Sequence, residues 1–317
     1  DIEGLRAVAV VAVVLFHAGI PGIAGGYIGV DVFFVISGFL MTGIIVSQLE
    51  AGRFSVLGFY LARAARIIPA LAALCAAVLV FGWFWLAPVD YQRLGRHVAS
   101  SIAFLSNVTY ATESGYFDTA SHEKWLLHTW SLSVEWQFYL LLPLALIAWR
   151  RWVGHGRAHL LAFAVLGVAV SLGLSVVLTA WRPTYAFYLL PTRAWELLAG
   201  GAVFLVQRRL ALAPAAARLC YLAGLASILV SVVLFHAGLP WPGAWAALPV
   251  AGAALVLLAQ RQDALPTAHP WIQWLGTASY SIYLWHWPIA VGARYFGLAD
   301  HALWAVPAVA LSLLLGG

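Results

Sequence analysis

The chain is a succession of apolar stretches, each near the length that crosses a lipid bilayer, separated by short polar connections. They fall at 5–22, 28–48, 67–87, 94–111, 131–149, 160–181, 186–206, 219–237, 244–260, 277–297 and 302–317. A helix rising 1.5 Å per residue needs roughly 20 mostly apolar residues to cross the hydrocarbon layer. Lipid admits only helices or closed barrels, and these stretches lack the strict alternation of barrel strands. The predicted fold is all-α: a polytopic membrane helix bundle of ten or eleven transmembrane helices. Composition agrees, because 63% of residues are hydrophobic and 9% charged, where soluble domains carry about a quarter charged residues. No internal repeat or low-complexity linker divides residues 1–317, so one membrane domain is the economical reading.

The net charge of +5 follows from basic residues in short connections, the pattern of the positive-inside rule, and does not indicate nucleic acid. Arg53, Arg63 and Arg66 in 50–66, Arg150, Arg151 and Arg157 in 150–159, and Arg208, Arg209 and Arg218 in 207–218 belong on the cytoplasmic side. Glu113, Asp118 and Glu123, with Lys124 as the single basic residue, mark 112–130 as extracytoplasmic. These assignments conflict if both 67–87 and 94–111 cross fully. The stretch 94–111, with Arg96, His97 and Asn107, is the most polar of the set, and it is expected to enter only partly or to be sheltered by other helices. Cys75 and Cys220 have no disulfide or metal-ligand spacing and read as two buried thiols. No metal site is expected.

An ionisable side chain at membrane depth costs several kcal/mol and needs a partner or a task. Arg6 and His17 lie eleven residues apart, close to three helical turns, so they share a face about 16 Å apart along the axis. An Arg is a good anion ligand, and a His within reach of a hydroxyl is a good general base. Alternatively, Arg6 snorkels and His17 bonds a neighbouring helix. Asp31, opening the second span ahead of Ser37 and Gly38, could orient His17 or cap its own helix. Arg63 and Arg66 share a face at i, i+3, where two guanidinium forks could hold phosphates or simply anchor the span. Glu135 lies between Trp130 and Tyr139, beside Ser131, Ser133 and Gln137, in the stretch least suited to lipid. There it must pair with a cation or be protonated. Tyr280, Tyr283, Trp285, His286 and Trp287 suit an interfacial aromatic belt, with His286 also a pathway candidate. Arg193 and Glu196 at i, i+3 read as a structural pair.

Together these strings resemble the acyltransferase-3 family, membrane acyltransferases of bacterial surface polysaccharides. The resemblance rests on Asp1-Ile2-Glu3-Gly4-Leu5-Arg6-Ala7 and the Arg6 to His17 spacing, on Gly29-Val30-Asp31-Val32-Phe33-Phe34 through Ser37-Gly38-Phe39, and on Arg63 with Arg66. It continues through Ser114-Gly115-Tyr116-Phe117-Asp118, Trp130-Ser131-Leu132-Ser133-Val134-Glu135 and Tyr283-Leu284-Trp285-His286-Trp287-Pro288, in family order over almost the whole chain. Trp136 stands where many members carry a second Glu, which leaves Glu135 to act alone.

The resemblance implies a multi-pass protein of the bacterial inner membrane that takes an acyl group, usually acetyl, from cytoplasmic acyl-CoA. The group is passed towards a hydroxyl of an extracytoplasmic glycan such as O-antigen, with acyl-CoA as donor substrate and no permanently bound cofactor. Many relatives continue into a periplasmic SGNH domain that completes the transfer; in this chain such a domain would lie beyond Gly317. In this reading Arg6, Arg63 and Arg66 hold the donor. His17 is general base or acyl relay, with Glu135, or in reserve Asp31, as its partner. Ser37, Trp130, Ser131, Tyr139, Tyr283 and His286 are acceptor or pathway candidates. A transporter or flippase with Arg6, His17 and Glu135 along a polar path is the alternative.

Overall fold

The computed structural model describes residues 2–113, 123–154, 156–207, 210, 212–261, 267–298 and 304–316. The Ser114 to Asp118 motif and Arg208 and Arg209 lie outside them. The helices are α1 (Ile2–His17), α2 (Gly29–Glu50), α3 (Val56–Trp85), α4 (Pro88–Ile102), α5 (Ser106–Glu113), α6 (Thr129–Trp152) and α7 (Arg157–Trp181). They continue with α8 (Pro183–Tyr188), α9 (Leu190–Gln207), α10 (Pro214–Leu234), α11 (Ala247–Ala259), α12 (Pro270–Tyr295) and α13 (Ala305–Gly316). No strand occurs among the described residues. Six stretches are long and apolar enough to cross a membrane, and α11 and α13 are shorter apolar helices.

The boundaries follow local chemistry. Proline opens α4, α8, α10 and α12, where its missing N–H leaves no helical bond unmade. Ser55 caps α3 by accepting from Gly58 N at 3.1 Å. Past α1, Gly19 and Gly22 turn the chain at φ 74° and 83°, a conformation that only glycine adopts without strain.

The bundle is built on close helix pairs. In α2 and α9, which run parallel, Gly38 faces the Leu197 backbone and Gly200 the Val35 backbone. With lipid equally apolar outside, such approach gains from van der Waals contact that larger residues would block. A Cβ at Gly38 would collide with the Leu197 carbonyl, whereas one at Gly95 of α4 meets nothing within 4 Å. Gly38→Ala is therefore expected to destabilise by about 1–3 kcal/mol through overpacking, and Gly95→Ala to be neutral or slightly stabilising. Thermal melting of the two variants in one detergent checks this.

The orientation conflict in the sequence resolves at α4 and α5. The stretch 94–111 is not one helix: Phe104 adopts φ 54° and turns the chain back. The corner packs on the first turns of α6, where Ser101 meets Thr129 at 2.8 Å, Ser106 meets Ser133 at 2.7 Å, and Gln137 donates to the Phe104 carbonyl at 3.0 Å. This hairpin enters and returns on the same side, its polar backbone sheltered by protein. Glu113 and Glu123, the described acidic residues of that connection, thus lie at the end opposite Arg53, Arg150, Arg151 and Arg218. At the basic end Arg157 clasps Glu50 with two 2.6 Å bonds. Cys75 is buried as expected, but Cys220 is only partly buried, because its side of α10 is not fully covered.

Candidate functional site

Towards the basic end, α1, α2, α3, α6 and α12 enclose a cavity of about 110 Å³ lined by Arg6, Ser37, Arg63, Arg66, Glu135 and Tyr139. Arg6 is held at its mouth by Glu3, whose two oxygens lie 3.2 Å from Nη1. Arg63 is half-buried with Nε lacking a partner, and Arg66 is exposed. Ser37 donates a short hydrogen bond to Glu135 Oε1. Three guanidinium groups thus share one narrow space with one carboxylate. The volume is far below the ~300–1,000 Å³ of pockets that engulf a drug-sized ligand. It suits the narrow end of an extended molecule whose anionic bulk rests on the Arg side chains outside.

Towards the opposite end lies a second cavity, of about 590 Å³, with His17, His128, Arg193, Trp130, Trp241 and Trp287 in its wall. Val30 and Tyr283 line both cavities, so these two side chains form the partition between them. The Tyr283 hydroxyl is fixed there, 2.7 Å from Ser131 Oγ and 3.0 Å from the His128 carbonyl. Arg6 and His17, on one helix, serve one cavity each.

The hydrogen bonds of His17 define its protonation. His286 Nδ1 lies 2.5 Å from the Tyr283 carbonyl, which can only accept, so this nitrogen carries the proton. In the neutral ring Nε2 of His286 is then an acceptor, and it lies 3.1 Å from His17 Nδ1. His17 therefore donates through Nδ1, and its Nε2 keeps the free lone pair that a general base needs. The Trp287 ring packs edge-on against His17 at 4.8 Å, and Arg294 donates to its carbonyl at 3.3 Å.

Neither expected carboxylate partner of His17 is there. Among the described residues its ring bonds to His286, while Glu135 lines the other cavity beside Ser37. Asp31 is fully buried, but it faces α9, where Arg193 Nη1 reaches Asp31 at 3.0 Å and Glu196 at 2.8 Å. The reason is geometric. Parallel packing of α2 on α9 turns the Asp31 side of α2 away from α1. Arg193 is further enclosed by the Phe34, Trp130 and Phe187 rings at 5.3–5.7 Å. Arg193 and Glu196 are thus the expected pair, enlarged by Asp31. His128, a site residue that local sequence did not single out, is buried in the wall of this cavity with its ring 5.7 Å from that of His286. Its only signal was an ionisable residue opening the polar Trp130–Glu135 stretch.

The comparisons with known proteins agree with this architecture. The profile of the acyltransferase domain family matches residues 1–317. Peptidoglycan O-acetyltransferase OatA of Listeria monocytogenes is 32% identical over 307 residues, covering 91% of this chain and 49% of its own length. BcsY of Komagataeibacter xylinus, which carries the name of a membrane-bound transacylase, is 33% identical over 304 residues, 93% of this chain and 74% of its own. O-acetyltransferase OatA of Staphylococcus aureus is 29% identical over 307 residues, 92% of this chain and 50% of its own. The chain thus spans about half the length of the two OatA proteins. No solved structure matches it. Matched along its whole length, this multi-pass membrane chain belongs to the acyltransferase-3 family.

Proposed function

We propose that this domain moves an acyl group, acetyl in the first instance, from acyl-CoA at the basic, cytoplasmic end to a hydroxyl presented at the opposite end. The membrane would be the bacterial cytoplasmic membrane, with the hydroxyl on a cell-envelope glycan or on an attached extracytoplasmic domain. One observation carries the reading: a narrow cationic cavity and a histidine-lined cavity open towards opposite ends and meet at Val30 and Tyr283. Arg63 and Arg66 offer bidentate contacts to the donor's phosphates, with Arg6 closing the set. The pantetheine arm enters the narrow cavity, past Ser37 and Glu135, and brings the thioester to the partition.

At the partition the acceptor oxygen attacks the thioester carbonyl carbon while its proton passes to His17 Nε2. The C–S bond then breaks, the proton goes on to the departing thiolate, and the products are an ester and free CoA. His286 holds the proton on His17 Nδ1 and so keeps the basic nitrogen on the other side of the ring.

Purified protein supplied with radiolabelled acetyl-CoA and an envelope glycan is expected to release CoA and label the glycan. Binding or translocation of glycan without CoA release would replace this reading with a transporter. Replacing Arg63 and Arg66 together by Ala removes charged hydrogen bonds of ~1.5–3 kcal/mol each. The expected result is a KM for acetyl-CoA raised at least tenfold, with kcat changed much less.

A further inference from the structure

The partition between the two cavities is two side chains thick, and both are held in place. The Tyr283 hydroxyl donates to the His128 carbonyl at 3.0 Å and lies 2.7 Å from Ser131 Oγ. Its ring packs against those of Phe33, His128 and His286 at 6.1, 5.6 and 5.2 Å. Val30 completes the partition from the first turn of α2. Beside it, Gly29 sits so close to the Ala9 carbonyl that an added Cβ would collide, so α2 is seated directly on α1 and cannot back away. A β-branched side chain in a helix is confined largely to one rotamer. The width of the partition is therefore set by the size of these two side chains.

The narrow cavity behind it measures about 110 Å³, and in the transfer reading the pantetheine arm fills it. The acyl group is the leading end of the thioester. For reaction, its carbonyl carbon must come within ~3–3.5 Å of the acceptor oxygen, so whatever lies beyond the carbonyl meets the partition first. A methyl group adds little there. Each further methylene has to enter the gap between Val30 and Tyr283, where the acceptor oxygen must come, or fold back into a cavity already occupied. A close-packed interior resists both.

We infer that Val30 limits the length of the acyl group, with Tyr283 as the fixed wall against which that limit is set. The inference rests on the transfer reading above and deepens it, because that reading brings the thioester to the partition without saying what selects the acyl chain. A hydrophobic site discriminates one methylene by about 10–200-fold in kcat/KM. That is the preference expected here for acetyl over propionyl donors.

The test gives purified protein equal concentrations of acetyl-, propionyl- and butyryl-CoA with the envelope glycan of the transfer assay, and compares the esters by mass spectrometry. The parent protein is expected to form the acetyl ester almost alone. Val30→Ala removes two methyl groups from the gap and is expected to raise the propionyl-to-acetyl ratio about tenfold or more. Val30→Ile, one methylene larger, is expected to slow acetyl transfer while inhibition by free CoA, which carries no acyl group, stays unchanged. Tyr283→Phe loses both hydroxyl contacts and is expected to relax the ratio less than Val30→Ala, which keeps the test open if Val30→Ala does not fold. Met41→Ala enlarges the same cavity roughly 16 Å further along α2, nearer the basic end, and should leave the ratio at the parental value. Three results each overturn the inference and leave the transfer reading standing: a parent protein that transfers butyryl as readily as acetyl, an unchanged ratio in both Val30→Ala and Tyr283→Phe, or a ratio relaxed as far by Met41→Ala as by Val30→Ala. Protein that releases CoA from none of the three donors overturns the transfer reading, and the inference falls with it.

Discussion

Replacing His17 by Gln is expected to lower acyl transfer by 10²–10⁴, the range contributed by a positioned general base, while membrane insertion and folding persist. Gln fills similar space and can still donate to His286 Nε2, so the hydrogen bond that His17 makes in the resting protein survives. What it lacks is a nitrogen lone pair basic enough to take a hydroxyl proton. The measurement is the rate of labelled acetyl transfer at saturating donor, alongside the thermal midpoint in detergent. A variant that melts like the parent and transfers at the parental rate would remove His17 from the chemistry. His286→Phe is expected to give a smaller loss, about tenfold or more, because it removes the partner that selects the His17 tautomer and not the base itself.

The largest effect on stability is expected at Arg193. Its guanidinium lies between Asp31 and Glu196, with all three side chains at most 1% exposed. Arg193→Leu leaves two carboxyl groups in an apolar interior with no cation, and breaking a buried ion pair in this way costs ~3–5 kcal/mol. Expected outcomes are low yield from membranes and a much reduced melting temperature. The triple change Arg193→Leu, Asp31→Asn, Glu196→Gln should recover much of the loss, since it removes the charges together with the unmet need for a partner. At the rim, Arg157→Ala breaks the Glu50 pair, where one partner is 37% exposed. Solvent screening limits that loss to ~1 kcal/mol or less. If Arg193→Leu and Arg157→Ala melt alike, burial is not what sets the strength of these pairs.

The contrast between Glu135 and Asp31 marks what a linear reading can recover. Both are acidic residues in apolar segments, and both qualified as partners of His17 by depth alone. Depth along a helix follows from residue number, but direction depends on which neighbour the helix packs against. Gly38 and Gly200 draw α2 onto α9, and that contact turns Asp31 towards Arg193. Glu135 is held by Ser37 across the α2–α6 contact and serves the arginine cavity. His17 is left to His286, 269 residues away in the chain. The stretch 94–111 fails as a span for a similar reason: hydropathy places it in the membrane, but hydroxyl and amide bonds to α6 bend it back at Phe104.

Taken alone, the sequence determined the solvent of this protein, its helical class, its basic end, and the intramembrane charges that must be paired or put to use. Those follow from local composition and from the cost of moving polar groups into lipid, which every segment meets by itself. Only the tertiary structure decided that Arg6 and His17 open into different cavities, that Tyr283 and Val30 stand between them, that histidine rather than carboxylate orients His17, and that His128 packs beside His286 in an aromatic chamber. These are matters of which helix faces meet, and facing is set by contacts between residues far apart in the chain.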